Sequence, residues 1–253
     1  MTKKLARTIA RSGSRPHPSR RERTRDKLIR AGESLLAHRS IDGVSVDDVV
    51  GAAAVGKGSF YNHFVDKEAF ASQIVDSVRG DLEHRVRTAN AGVEDAAARL
   101  ARGVVIYLRA ALEHPDRSRI LLRLFPHETL VSAPINRGMA QDIRDGIRQR
   151  RFRLRALDDG VIFVLGVGTA LMARSIDEPA SRSVSADATH VLALMLHGLG
   201  MTAGEALKVA RASVRDLLEG PPIGALAELT QHSRSAIASR TGRERKPSRT
   251  RAN

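Results

Sequence analysis

Apolar residues recur at helical spacing along nearly the whole chain, and this periodicity constrains the fold more than any other feature. In the N-terminal third it predicts four short helices, at about residues 25–39, 45–53, 57–64 and 67–82. From residue 93 onward the pattern remains helical and is interrupted at proline-containing pairs such as His114-Pro115. No segment shows the alternation of a strand. The sequence therefore predicts an all-α fold.

The second and third predicted helices carry the features of a helix-turn-helix. Ser45 followed by Asp48 forms a capping-box pattern at the start of the second helix. The apolar stripe predicted for that helix consists of Val46, Val49, Val50 and Ala53. A turn at residues 54–56, which contains a glycine, leads into the third helix, whose Phe60 and Phe64 are spaced to face the core.

The opposite face of the third helix is small and polar. Gly58 and Asn62 point away from the two phenylalanines and are flanked by Ser59 and Tyr61, so this face carries no acidic group. Such a face can enter a major groove and contact base edges or phosphates. A glycine in a helix costs about 1 kcal/mol relative to alanine, which is reasonable where the backbone must approach a partner closely. Lys57, at the start of the helix, can reach a phosphate.

Lys67 lies in the first turn of the fourth helix, where the helix dipole disfavours a cation. A phosphate docked at that helix end would reverse the sign of the interaction, because the free N–H groups and the ammonium would both attract it. The alternative is that Lys67 is solvated and pairs weakly with a neighbour.

Residues 44–50, 54–64 and 66–68 together closely resemble the N-terminal domain of the TetR family of bacterial repressors. The resemblance covers about residues 24–82. It implies a three-helix helix-turn-helix domain joined to a larger helical domain that dimerises and usually binds a small effector. It also implies a homodimer that binds an inverted-repeat DNA operator and is released from it by the effector.

The predicted DNA-binding residues follow from the helical wheel and the resemblance together. They are Ser45, Val46, Gly56, Lys57, Gly58, Ser59, Tyr61, Asn62, His63 and Lys67. Two positions depart from the family pattern. Asp47 stands where the family often has a polar or basic residue near DNA, and Gly56 replaces the usual serine or threonine.

The net charge of +14 is concentrated at the two ends of the chain. Residues 1–25 carry +8 and residues 230–253 carry +6, so the stretch between them is neutral. Such tails favour polyanions, although solubility or an arginine-rich genome would give the same composition. We expect residues 1–23 to be a basic disordered arm and residues 221–253 a basic, partly disordered extension. A nucleoid-type or RNA-binding protein acting mainly through these tails is the alternative function.

Residues 83–220 are predicted to form the effector-binding and dimerisation domain. Helices at about 156–176 and 186–199 are the expected dimer interface, with ordinary core packing as the alternative. The residues that could line an effector pocket, each also consistent with plain core, are Tyr107, Phe125, His127, Met139, Phe163 and Met172. Because only 3% of residues are aromatic, a hydrophobic ligand in an aliphatic pocket is expected.

Catalytic and metal-binding signatures are missing from the sequence. It has no cysteine, its nine histidines lack metal-ligand spacing, and no P-loop, HExxH or GxSxG pattern is present. The longest apolar run, residues 161–173, is 13 residues long with two glycines, which fits a buried helix better than a membrane span. The basic N-terminus does not resemble a signal peptide. We therefore expect no enzymatic activity, cofactor or metal, and a cytoplasmic location.

Overall fold

The computed structural model describes residues 19–124, 131–178 and 184–220. Within these ranges the chain forms ten α-helices, one short 3₁₀ helix at Pro134–Asn136 and no strand, which confirms the all-α prediction. The helices are α1 (Arg20–His38), α2 (Val46–Ala53), α3 (Lys57–Tyr61), α4 (Lys67–Ala89), α5 (Ala96–Glu113), α6 (Pro115–Leu124), α7 (Arg137–Arg148), α8 (Leu157–Asp177), α9 (Val184–Gly198) and α10 (Ala203–Leu217).

The chain divides into two compact units, one ending at Ile74 and the other beginning at Val75. The division falls inside α4, the same helix in which the sequence placed a domain boundary at residue 82. Each unit has its own buried apolar cluster.

The core of the N-terminal unit is built around aromatic rings. Phe60 and Phe70 are almost wholly buried, and their ring centroids are 5.3 Å apart. Phe64 packs against Phe70 at 4.8 Å, in an edge-on arrangement that aromatic pairs favour. Gly32 of α1 faces this cluster so closely that an added Cβ would overlap the ring of Phe70. The predicted inward direction of Phe60 and Phe64 is therefore confirmed, and these contacts hold α1, α3 and the start of α4 together.

Helix α1 begins at Arg20, earlier than the predicted Arg25, so the predicted disordered arm of residues 1–23 is wrong at its C-terminal end. The physical reason is a capping box. The Ser19 N–H donates to Glu22 Oε2 at 2.6 Å, and the Glu22 N–H donates to Ser19 Oγ at 3.2 Å. Residues 1–18 of that arm, and the extension of residues 221–253, lie outside the described residues.

Two smaller differences concern the helix-turn-helix. Helix α3 ends at Tyr61 instead of Phe64, and a turn carries the chain through residues 62–63. Val46 is half-buried, whereas the other three members of the predicted α2 stripe are buried. Val46 is the first residue of α2 and follows the exposed N-cap Ser45.

In the C-terminal unit α5 packs against α6, α7, α8, α9 and α10, so it forms the centre of that unit. Arg99 ties α5 to α7 through two charge-assisted hydrogen bonds. Its Nε lies 2.6 Å from Asp142 Oδ1 and its Nη2 lies 2.7 Å from Asp145 Oδ2. All three side chains are largely removed from solvent, so this clamp fixes the relative position of the two helices.

Among the described residues, α8 alone is long and apolar enough to cross a membrane by length and composition. Its most apolar 18-residue window is 39% buried. Because α8 packs against α5, α6, α7 and α9, it belongs to the helical core of the C-terminal unit. Much of its apolar surface nevertheless faces away from that core.

Candidate functional site

The start of α2 is fixed by the predicted capping box. The Ser45 N–H donates to Asp48 Oδ2 at 2.9 Å, and the Asp48 N–H donates to Ser45 Oγ at 3.1 Å. These hydrogen bonds, the backbone one foremost, lower the pKa of Asp48 below its ordinary value. Ser45 Oγ also donates to Asp48 Oδ2 at 2.7 Å, so the hydroxyl is already engaged in the unbound protein.

The turn between α2 and α3 is a Schellman motif. The Ala54 N–H donates to the Gly51 carbonyl at 3.2 Å, and the Val55 N–H donates to the Val50 carbonyl at 3.1 Å. Ala54 adopts the left-handed conformation, with φ of +53°. The sequence had singled out Gly56 as the turn glycine, but Gly56 has an ordinary extended backbone with φ of −76°. An alanine thus occupies the position that usually favours glycine.

The outer face of α3 matches the predicted one. Tyr61 is 54% exposed, and Gly58 and Asn62 are also exposed, while Ser59 is half-buried. A Cβ added to Gly58 would meet no other atom of the chain within 4 Å. The protein's own packing therefore gives no reason for a glycine at this position, and the backbone there is open to an external partner.

Lys57 forms an ion pair that sequence reasoning did not predict. Its Nζ lies 3.0 Å from the Asp47 carboxylate, which joins the first turn of α2 to the first turn of α3. Both side chains are exposed, and the hydrogen bond to Asp47 raises the pKa of Lys57. The cation expected to meet a phosphate is thus paired internally in the unbound protein.

Lys67 begins α4, and its Nζ lies 3.9 Å from Glu68 Oε1, at the outer limit of an ion pair. The N-terminus of the helix is capped by Asp66, whose Oδ1 accepts from the Ala69 N–H at 2.7 Å. The Lys67 side chain is 24% exposed. In the unbound protein Lys67 is therefore weakly paired with a neighbour, as the alternative drawn from the sequence expected. Its contact with a phosphate stays a prediction.

Two arginines of α1 lie beside the C-terminal end of α3 and were missed from the sequence. Arg21 Nη2 is 3.5 Å from the Asn62 carbonyl oxygen, and the Arg25 guanidinium lies 5.9 Å from the centroid of the Phe64 ring. Partial burial, followed by the charges of both arginines, lowers the pKa of His63, so the imidazole is neutral at pH 7. The Ser19–Glu22 spacing was the signal that could have placed Arg21 in a helix.

The C-terminal unit contains a cavity of about 1000 Å³ between α4, α5, α7 and α8. Tyr107, Met139 and Met172 line it, as three of the six candidate effector residues. Phe163 does not line it. Its ring is 40% exposed and packs toward Gly198 of α9, so we do not retain it in the candidate pocket. Phe125 and His127 lie outside the described residues.

Tyr107 presents the cavity with a phenol. Burial raises the pKa of Tyr107 to about 12, so its hydroxyl is protonated at pH 7. Within the described ranges the hydroxyl makes no hydrogen bond, which leaves it available to a molecule in the cavity.

Helices α8 and α9 expose large apolar side chains, namely Ile162 (56% exposed), Phe163 (40%) and Leu194 (69%). The two glycines of the apolar run have different surroundings. Gly168 lines the cavity, whereas a Cβ on Gly166 would meet open space and Gly166 is not part of the cavity wall.

Across the part of the chain that the structure describes, no group of three or more His, Asp or Glu side chains is arranged to hold a metal ion.

Comparison with known proteins supports the N-terminal assignment. Residues 28–74 match the family described as bacterial regulatory proteins, tetR family. The HTH-type transcriptional repressor DhaR of Mycobacterium sp. strain GP1 is 36% identical over 104 residues, which are 41% of this chain and 51% of DhaR. NemR of Escherichia coli K12, also named an HTH-type transcriptional repressor, is 38% identical over 53 residues, or 21% of this chain and 27% of NemR. The chain thus spans about half the length of DhaR and about a quarter of NemR.

Solved structures extend the similarity to the helical unit. RolR in complex with its ligand resorcinol is 25% identical, with a TM-score of 0.55, and the alignment covers 81% of this chain and 98% of RolR. A gamma-butyrolactone receptor (ArpA-like protein) has a TM-score of 0.60 at 17% identity, covering 78% of this chain and 98% of the receptor, which shows a shared fold. Residues 28–74 therefore form a helix-turn-helix of the TetR type, and the matched repressors and solved structures support the TetR family for the chain.

Proposed function

We propose that the protein is a DNA-binding transcriptional repressor that a small-molecule effector releases from its operator. The observation that carries this proposal is the outer face of α3, which is exposed, uncharged at its centre and set on a helix-turn-helix. The relatives DhaR and NemR are named as repressors, and the family match covers this same region. No catalytic signature in the sequence favours an enzyme.

In the proposed complex α3 lies in the major groove. Tyr61, Asn62 and Ser59 face the base edges, and the bare backbone at Gly58 allows close approach. The phosphate contacts come from the ends of the helices, where N–H groups and cations gather. They comprise Ser45, Val46, Gly56, Lys57, His63 and Lys67, to which we add Arg21.

We propose that the protein acts as a homodimer through α8 and α9. Ile162, Phe163 and Leu194 form an exposed apolar surface that a monomer would leave in water. A two-fold axis through this surface would give the partner the same residues, since a C2 interface is self-complementary. Such a dimer would require an inverted-repeat operator.

The cavity in the C-terminal unit is the proposed effector site. It lies among α4, α5, α7 and α8, and its volume falls in the range of small-molecule pockets. The related fold of RolR has been solved with a bound ligand. A repressor controlled by a small molecule would act in the cytoplasm, where both DNA and metabolites are present.

The alternative, a nucleoid-type or RNA-binding protein acting through its basic tails, predicts different DNA selectivity. Selection of bound fragments from a pool of random duplexes at physiological salt separates the two. The repressor should enrich one inverted repeat whose half-sites lie about one helical turn or more apart. Enrichment of no sequence, or of a single asymmetric half-site by a monomer, would contradict the proposal.

A variant pair checks that α3 carries the selectivity. Tyr61→Phe removes only an exposed hydroxyl, so the helix should stay folded while affinity for the selected duplex falls. Lys208→Ala, at an exposed position on α10, is the control and should leave operator affinity unchanged.

A further inference from the structure

The three acidic side chains that border the cavity are each paired with an arginine. Asp76 pairs with Arg79 at 3.0 Å, and Glu83 lies 4.0 Å from Arg87 on the same face of α4. Asp142 is held by Arg99 at 2.6 Å. Each acid of the lining thus has an arginine beside it, and a charged ligand would have to compete with an existing partner. The remaining arginine of the lining, Arg137, is exposed to solvent, where an ion pair contributes little.

Most of the remaining wall is aliphatic, with apolar residues from α4, α5, α7 and α8 and a few polar side chains between them. Tyr107 supplies the one aromatic ring of the described lining. Gly80 and Gly168 widen the space, because a Cβ on either would meet no other atom of the chain within 4 Å. The walls therefore suit a flexible aliphatic chain better than a flat aromatic ring, which would need facing rings to stack against.

Two polar side chains of the lining, Thr169 and Asn90, already have protein partners. The Thr169 hydroxyl donates to the Leu165 carbonyl at 2.7 Å. The Asn90 amide donates to the Arg99 carbonyl at 3.0 Å, and its oxygen accepts from Arg102 at 3.2 Å. The Tyr107 hydroxyl differs from these, because in the described ranges it has no protein partner. Tyr107 is half-buried in the cavity wall, so a ligand that excludes water from the hydroxyl would have to offer it an acceptor, and a ligand oxygen at this point would be favoured.

We propose that the cavity selects an uncharged, largely aliphatic ligand with a hydrogen-bond-accepting oxygen, which the Tyr107 hydroxyl recognises. The proposal of this ligand class depends on the proposed function in one respect, since it takes the cavity as the effector site. A carboxylate is disfavoured because three of the four arginines of the lining are already paired with Asp76, Glu83 and Asp142, and the fourth, Arg137, is exposed to solvent. A cation would have to displace one of their arginines.

The test uses two probes of equal chain length, 2-decanone and decanoate, which differ in whether the oxygen group is neutral or ionised at pH 7. Binding to the full chain without DNA is measured by calorimetry. We expect 2-decanone to bind more tightly than decanoate. Tyr107→Phe should weaken 2-decanone binding about fivefold, the loss of one neutral hydrogen bond, with an unchanged unfolding midpoint.

Tyr61→Phe is the matched control, because it removes the hydroxyl of the chain's other tyrosine in the other unit and should leave 2-decanone binding unchanged. Gly168→Leu should abolish binding by filling the cavity. Decanoate binding as tightly as 2-decanone, no binding of 2-decanone, or equal affinity in Tyr107→Phe would each overturn the proposal. Release of the selected operator is measured separately, so a ligand that binds without releasing DNA would count against the repressor mechanism and leave the ligand class standing.

Discussion

The two compact units build their candidate sites in opposite ways. The DNA-facing site of the N-terminal unit lies mainly within residues 45–67, on α2, α3, the turn between them and the first residue of α4, with Arg21 of α1 beside it. The cavity of the C-terminal unit is lined by residues that range from Asp76 to Met172 and come from four α-helices and the 3₁₀ helix. A contiguous site leaves a local pattern in the sequence, whereas an assembled cavity does not. The following predictions test this contrast.

The aromatic core under α3 should be the most sensitive point. Phe60→Ala removes a fully buried ring and should lower the free energy of unfolding by about 3–5 kcal/mol. Phe163→Ala is the matched control, since its ring is 40% exposed, and at protein concentrations below dimerisation it should cost much less. Urea unfolding followed by circular dichroism measures both. Equal losses would mean that Phe60 does not anchor the helix-turn-helix.

The exposed apolar surface of α8 and α9 should determine association. Leu194→Glu places a charge at a position that is 69% exposed in the protomer and buried in the proposed dimer. Burying a leucine contributes about 1.5–3 kcal/mol and each dimer has two, so the dimer dissociation constant should rise by a factor of about a hundred to ten thousand. Sedimentation equilibrium provides the measurement, with Ile147→Glu on α7 as the control. A dimer unaffected by Leu194→Glu would move the interface elsewhere.

Substitutions of the two members of the Asp47–Lys57 ion pair should change DNA affinity in opposite directions. Lys57→Ala should weaken binding and reduce the magnitude of the salt slope by about one unit, because one fewer counterion is released. Asp47→Asn should tighten binding, since it frees the ammonium and removes a charge that repels phosphate. Titration of one duplex at several salt concentrations tests both. Weaker binding by Asp47→Asn would show that the ion pair positions Lys57 in the complex instead of competing with it.

The smallest effect is expected at the turn. Ala54→Gly removes the strain of an alanine in the left-handed conformation, which should stabilise the protein by about 1–2 kcal/mol. The added glycine also makes the unfolded chain more flexible, which should lower the free energy of unfolding by about 0.5–1 kcal/mol. Stability should therefore rise by about 1 kcal/mol or less. Gly56→Ala is the control, because Gly56 has an ordinary backbone and open space around it. Destabilisation by Ala54→Gly in urea unfolding would contradict the strain interpretation.

The same contrast explains how much could be predicted from the sequence. The capping box at Ser45, the inward Phe60 and Phe64 and the exposed face of α3 all follow from helical spacing, and the structure agrees. The Asp47–Lys57 pair and the approach of Arg21 to Asn62 were not foreseen, because they join residues on different helices. Side-chain type had also suggested Phe163 as a pocket residue, and only the packing of α8 against its neighbours shows on which side that ring lies.

The central claim is that the folded helix-turn-helix, and not the basic ends of the chain, selects DNA. The most direct measurement compares the affinity for the selected inverted repeat with the affinity for a shuffled duplex, for the full chain and for a variant lacking residues 1–18. That deletion removes basic residues but keeps the Ser19 cap of α1. We predict that the selected site binds at least about a thousandfold more tightly than the shuffled one in both proteins, with a flatter salt dependence in the variant. Similar affinities for the two duplexes, or a preference that disappears with residues 1–18, would contradict the account.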